Sequence, residues 1–241
     1  MTKNELLPKY IQDVLEKIWE ETSPVSIFLY GSMARGDSEV NSDYELGIIY
    51  KRDKKIPRSE LAKYHNIKEL RLYPFGLEDL ANNIIDTPFP KAIYLRGLLE
   101  GTKLLYGRKL TEIFSPPKVK LSDLMEGVGF CLGRGYSAVV SSRQNDMVAV
   151  QENFSKSTLY GLQILLALTK KQLVFSYKVM YELSKESIPN EYLDLINNAI
   201  AVRKDINEIK IPMLYTNISF LNNVVLNKLK EELLSGDREW C

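Results

Sequence analysis

Apolar residues in the first twenty positions recur at helical spacing. Leu7, Ile11, Val14, Leu15 and Ile18 predict an amphipathic helix over 5–20. Ser23-Pro24 ends it, and the apolar run 25–30 predicts a buried strand. Gly31-Ser32 turns the chain into a short helix, and Tyr44–Tyr50 reads as a second strand. A polar connection with a short helix near 58–64 leads to 68–75. There Glu69, Arg71 and Tyr73 alternate with Leu70 and Leu72, predicting a third strand exposed on one face. Helices follow at 77–85 and 91–100, separated by Pro88 and Pro90, and a short extended piece at 103–106 closes the region.

Beyond this point the pattern changes. Ser115-Pro116-Pro117 is the expected domain boundary, because paired prolines stop helices and stiffen a link. Downstream, 121–140, 146–170, 176–185, 190–202 and 214–234 all carry helical periodicity, with breaks at Asn145, Lys170-Lys171, Ile188-Pro189 and Ile211-Pro212. The expected architecture is an α/β (α+β) domain with a small mixed sheet over 1–114, followed by an all-α bundle over 118–241.

Composition narrows the function classes. The chain has 241 residues, is 45% hydrophobic and 26% charged, and carries a net charge of +1, so it lacks the basic field that nucleic-acid binding requires. A local basic run, Lys51, Arg52, Lys54, Lys55 and Arg58, fits a solvated loop or a contribution to phosphate attraction. Two cysteines, Cys131 in an apolar helix and Cys241, argue against a disulfide framework or a thiolate zinc site. No apolar run is long enough to span a bilayer and no signal peptide is apparent, so a soluble, cytoplasmic protein is expected.

The chemistry concentrates between residues 27 and 50. The apolar strand runs into Gly31-Ser32, Arg35-Gly36 follow, and the next strand opens on Ser42, Asp43 and Glu45. Residues two apart on a strand share a face, so Asp43 and Glu45 point the same way and repel unless a cation sits between them. Oxygen-only donors of this kind suit Mg²⁺, which takes one or two carboxylates together with substrate phosphates. Gly31 allows close backbone approach to a phosphate, Ser32 offers a hydroxyl and an N–H at a helix start, and Arg35 can pair with a phosphate. The competing reading is a plain turn with a solvated acidic strand edge.

Gly31-Ser32-x-x-Arg35-Gly36 followed by Ser42-Asp43-x-Glu45 resembles the nucleotidyltransferases of the DNA polymerase β superfamily. The whole chain is most similar to the kanamycin nucleotidyltransferase group. The shared features are Asp-x-Glu at 43–45, the segment Leu72-Tyr73-Pro74-Phe75-Gly76-Leu77-Glu78-Asp79-Leu80, and two C-terminal stretches at 172–177 and 188–192. The resemblance implies a Mg²⁺-dependent enzyme moving a nucleoside monophosphate, AMP from ATP, onto an acceptor hydroxyl. Asp43 and Glu45 would hold the metal, Gly31, Ser32, Arg35 and Ser42 the nucleotide. It also implies an aminoglycoside-like acceptor and a homodimer, while the charge balance and short apolar runs give no reason to expect a nucleic-acid or membrane partner.

Two departures qualify that picture. Arg71 stands where the superfamily often has a third carboxylate, with Glu69 two residues before it; Glu69 either approaches the metal or pairs outward with Arg71. Phe130 occupies the place of the group's general base, and Glu126, one helical turn earlier, is the base candidate on geometry; a carboxylate favoured by the helix dipole is the alternative. Arg134, on the same helix face, either contacts the triphosphate or caps a surface. His65, the sole histidine, has no partner for a metal or Ser–His site. Two other readings remain: an AMP-transferring regulator of a partner protein, as in antitoxins of this superfamily, and a non-catalytic nucleotide-binding protein.

Overall fold

Pro8 has its φ locked at −58° and cannot donate a backbone hydrogen bond, so the first helix, α1, begins after it and spans Lys9–Thr22. This computed structural model describes residues 6–38, 42–85, 87, 89–235 and 239–240, and of Arg52, Glu239 and Trp240 the backbone alone. Glu5, Pro88 and Cys241, which figure in the sequence reading, lie outside the described residues. Leu7 carries the apolar periodicity that suggested an earlier helix start; it is buried, but ahead of the helix. Ser23, in the left-handed conformation, ends α1 by donating its N–H to Trp19 O.

The strands follow as β1 (Ser26–Tyr30), β2 (Tyr44–Tyr50), β3 (Leu70–Gly76) and β4 (Lys103–Gly107). They form one sheet in the order β3-β2-β1-β4, with β2 and β3 parallel and both β1 pairings antiparallel. The small mixed sheet expected from the sequence is therefore present. Short helices α2 (Gly31–Arg35), α3 (Arg58–Leu61) and α4 (Leu77–Ala81) lie between the strands, and α5 (Lys91–Leu99) precedes β4. Helix α4 stops earlier than the periodicity suggested, because Asn83 takes a left-handed conformation at φ 56°. β3 starts at Leu70 rather than Lys68, because residues 67–70 form a turn closed by Leu70 N–H to Ile67 O.

Strand alternation assigns the two faces of this sheet. Ile27, Leu29, Leu46, Ile48, Tyr50, Leu70, Leu72 and Leu105 point one way and bury against Ile11, Leu15 and Ile18 of α1. The residues between them, including Phe28, Tyr30, Glu45, Gly47, Arg71 and Tyr73, point to the opposite face. One face is a continuous apolar core and the other is left for chemistry.

The chain divides into two compact units, Met1–Asp86 with Leu95–Pro117, and Thr87–Tyr94 with Lys118–Cys241. Within the range 1–114 assigned to the first domain from sequence, Thr87–Tyr94 groups with the helical unit because Phe89, Ala92 and Ile93 are buried in that unit's core. The helical unit contains α6 (Leu121–Arg143), α7 (Met147–Lys170), α8 (Tyr177–Ser184), α9 (Leu193–Lys204), α10 (Ile211–Phe220), a π-helical turn at Leu221–Val225 and α11 (Leu226–Ser235). Asp146 caps α7 through Ala149 N–H at 3.0 Å, which explains the break after Asn145. Pro212 opens α10 instead of breaking it, since proline is tolerated in a first helical turn. A two-residue strand pair, β5 (Val119–Lys120) with β6 (Glu239–Trp240), is the one strand element here among the described residues. It is too short for alternation to reveal.

The central helix α7 is apolar nearly all round, yet among the described residues no helix is long and apolar enough to cross a membrane. Its polar residues are satisfied internally. Asn217 Nδ2 donates to Ser157 Oγ at 2.8 Å, Ser157 donates to Cys131 O at 2.8 Å, and the Thr158 hydroxyl lies 3.0 Å from Asn217 Oδ1. Asn217 therefore ties α10 to α7, and through Ser157 to α6. Because both Ser157 and Thr158 are fully buried, replacing Asn217 by Leu should destabilise the protein by about 1–3 kcal/mol. Asn223→Ala on the exposed side of the neighbouring turn should stay within about 0.5 kcal/mol. Urea denaturation of the two variants measures the difference.

Candidate functional site

Strand β1 is buried along its whole length and delivers the chain to Gly31. Gly31 has φ +72°, a left-handed conformation that costs other residues roughly 1–2 kcal/mol. It also faces the Glu45 side chain, whose Oε2 occupies the space a Cβ would need. Glycine is thus required twice over, by backbone conformation and by the carboxylate beside it. Tyr30 and Glu45 are register partners across β1 and β2, which brings the turn and the acidic strand together.

Helix α2 is short and ends at Gly36, where the N–H groups of Gly36 and Asp37 both donate to Ser32 O, at 3.0 and 3.1 Å. Ser32 and Ser42 are half-buried at the two ends of this excursion. Arg35 leaves the acidic pair alone and turns to Asp37, with Nε 3.4 Å from Oδ2 and both side chains at least four-fifths buried (15% and 12% exposed). Asp37 Oδ1 is buried without a hydrogen-bond partner. Gly101, at φ +67°, leaves room for the Arg35 side chain against it.

Asp43 stands just ahead of β2 and Glu45 within it, both half-buried. The residue facing them from β3 is Arg71. It is the register partner of Glu45, and its Nε lies 3.4 Å from Asp43 Oδ2. Its Nη1 donates to Lys68 O at 2.7 Å and Leu70 O at 3.3 Å. Glu69 is engaged elsewhere: Tyr10 of α1 donates its hydroxyl to Glu69 Oε1 at 2.8 Å, which holds that carboxyl below its usual range. Of the two readings of Glu69, the structure shows neither an approach to Asp43 nor a pairing with Arg71.

An aromatic floor completes this face. Phe28, Tyr30, Tyr73 and Phe75 pack with ring centroids 5.7–6.0 Å apart (Phe28–Tyr30 5.7 Å, Tyr30–Tyr73 5.9 Å, Phe28–Phe75 6.0 Å). Gly47 has no side chain because the Phe28 ring lies over it. Arg58 stacks on Tyr73 with its guanidinium carbon 4.4 Å from the ring centroid. Burial, and after it the negative charge of Glu45, push the Tyr73 phenol up; Arg58 and Arg71 oppose this. Sequence reasoning missed Tyr30, Tyr73 and the placement of Arg58. The Arg71–Tyr73 alternation held the signal, but nothing local says that Arg58, from a basic loop, folds back onto that strand. Lys51, Lys54 and Lys55 of the same run are exposed, with Lys55 3.7 Å from Asp79.

The remaining candidates belong to the helical unit. Glu126 is exposed on α6. Phe130 packs against Phe89 and Tyr160, with centroids at 5.5 and 5.9 Å. Arg134 stacks over Phe130 at 5.2 Å and donates to Asn153 Oδ1 at 2.8 Å. Asp123 accepts from Lys120 N–H at 2.7 Å and caps α6. In the first unit, His65 Nδ1 accepts from Ile67 N–H at 3.2 Å, and burial lowers its pKa. Cys131 is buried, which pushes its thiol up and leaves it unreactive. No group of three or more His, Cys, Asp or Glu side chains suited to a metal occurs among the described residues. A two-carboxylate site is what the first unit offers.

Comparison with known proteins defines the class. Residues 9–92 match the family model of the nucleotidyltransferase domain, a span that holds Gly31, Ser32, Arg35, Asp43, Glu45 and Arg71. The chain therefore carries a nucleotidyltransferase domain over these residues, as the motif between Gly31 and Glu45 suggested. Among solved structures it is similar to spectinomycin adenyltransferase AAD(9) from Enterococcus faecialis, determined with ATP and spectinomycin. The identity is 15%, the match covers 91% of this chain and 100% of that one, and the TM-score is 0.56. That likeness establishes a shared fold, mixed sheet followed by helical region. Among curated proteins, none matches.

The double demand on Gly31 gives a direct test. Gly31→Ala should cost about 1–2 kcal/mol in conformation and displace the Glu45 carboxylate, so nucleotidyl transfer should fall much further than stability. Gly36→Ala has open space at its Cβ, and with φ +79° it carries the conformational cost alone. Parallel thermal melts and transfer assays on the two variants separate the effects.

Proposed function

We propose that this nucleotidyltransferase transfers AMP from Mg²⁺–ATP to a hydroxyl of an aminoglycoside-like small molecule. The observation that carries the reading is the Asp43–Glu45 pair set beside the Gly31-Ser32 turn, inside the matched domain. The likeness in fold to a protein solved with ATP and spectinomycin supports the nucleotide and the acceptor class.

The donor set fits Mg²⁺ brought by a nucleotide. Two carboxylates, with no third acidic ligand grouped with them among the described residues, would leave the ion's other positions to triphosphate oxygens and water. When bound, the ion supplies charge neutralisation on the phosphate oxygens. Asp43 and Glu45 would hold that ion, and in the transfer the acceptor hydroxyl oxygen bonds to phosphorus as the bond to pyrophosphate breaks. Gly31, Ser32 and Ser42 line the nucleotide side. Arg35, held beside the turn by Asp37, is the residue we propose to meet a phosphate there. The hydroxyl proton needs an acceptor, and Glu126 is the carboxylate we propose for it from its place in the sequence.

The Arg71–Asp43 pair is the observation that favours the alternative, nucleotide binding without transfer. The pair is about 40% exposed on both sides, and such pairs are worth about 0–1 kcal/mol, so Asp43 can exchange Arg71 for a metal at small cost. For the same reason Asp43→Asn should fold normally and lose transfer by about a hundredfold or more, as expected when electrostatic stabilisation of a transferring group is removed. α-³²P-ATP with Mg²⁺ should label aminoglycosides in wild-type reactions. Label on a protein band from cell lysate would instead support the partner-modifying reading, and nucleotide binding with no label in either would support the non-catalytic one.

A further inference from the structure

Arg71 sits where a cation is needed. Two carboxylates face the same side at the start of β2, and the guanidinium that meets them comes from the neighbouring parallel strand, in register with Glu45 and 3.4 Å from Asp43. Its hold is not casual, because Lys68 O and Leu70 O accept from Nη1 and fix the group over the turn. The adjacent carboxylate, Glu69, is taken by Tyr10, which leaves Asp43 as the ion-pair partner. A guanidinium does not deprotonate in a protein, so this positive charge is permanent.

The consequence concerns metal binding. A bare divalent ion entering between Asp43 and Glu45 meets a fixed positive charge already neutralising one ligand. A metal arriving with a triphosphate meets a different balance, because the phosphates offer the guanidinium a bidentate anionic partner in exchange for Asp43. We propose that Arg71 is the resident counter-ion of the carboxylate pair and makes metal binding conditional on nucleotide. In this role it is a positioning residue: it holds Asp43 until metal and nucleotide enter together, then turns to the phosphates. This inference rests on the metal reading above and extends it to the order of binding.

Mn²⁺ titration followed by electron paramagnetic resonance tests it on the full chain, without and with α,β-methylene-ATP. Without nucleotide, Arg71→Gln should bind Mn²⁺ about tenfold more tightly than wild type, since a like charge within a few ångströms of the ion has been removed. Arg71→Lys, which keeps the charge, should bind as weakly as wild type. Adding the analogue, whose phosphates are themselves ligands, should tighten Mn²⁺ binding in both, and by the larger factor in wild type. Equal Mn²⁺ affinity for wild type and Arg71→Gln, with analogue-dependent binding that still requires Asp43, would overturn the role of Arg71 alone. Absence of Asp43-dependent Mn²⁺ binding even with the analogue would overturn the metal reading and this inference with it. Circular dichroism of each variant confirms that the half-exposed position tolerates the change.

Discussion

Mutual repulsion between Asp43 and Glu45 is the constraint around which the first unit is arranged. Like charges on one strand face destabilise the folded chain unless something opposite answers them. Three features do so here. Gly31 gives Glu45 a place to lie against bare backbone, Arg71 pairs with Asp43, and the sheet face behind them carries aromatic rings rather than further acids. Each is local and inexpensive, and together they hold the two carboxylates beside the turn.

The sheet turns this into a division of labour. Alternation along β1, β2 and β3 sends one set of side chains into the core under α1 and the other toward the carboxylates, so packing and chemistry are separated by the pleat itself. Buried β1 is the central rigid piece, and the turn at its end inherits that rigidity. The Arg35–Asp37 pair, closed over by Gly101, stiffens the far side of the same turn. In the helical unit, polar groups inside α7 are satisfied by Asn217 and Ser157, which fixes the helices without exposing a charge.

Much of this was legible in the residues. The strand–turn–strand around Gly31 was clear because β1 is apolar apart from Ser26, and the acidic pair because residues two apart on a strand share a face. Helix α7 was legible because Asp146 and Lys171 mark its ends as cap and left-handed stop. Other features depend on contacts distant in sequence. Nothing near Arg58 indicates that it stacks on Tyr73, and nothing near Glu69 shows that Tyr10 claims its carboxylate. The grouping of Thr87–Tyr94 with the helices likewise follows from where Phe89 and Ile93 are buried, a tertiary fact with no periodic signature. Arg35 shows the same limit: nothing in its motif position indicates the buried pairing with Asp37.

The central claim is that Asp43 and Glu45 jointly hold the divalent ion that accompanies a nucleoside triphosphate. Crystals grown with Mn²⁺ and α,β-methylene-ATP test it most directly, through anomalous scattering at the manganese edge. The account predicts one strong peak within coordination distance of both carboxylates and of the analogue's phosphate oxygens. A peak bound to phosphates alone, with Asp43 still paired to Arg71, would contradict it.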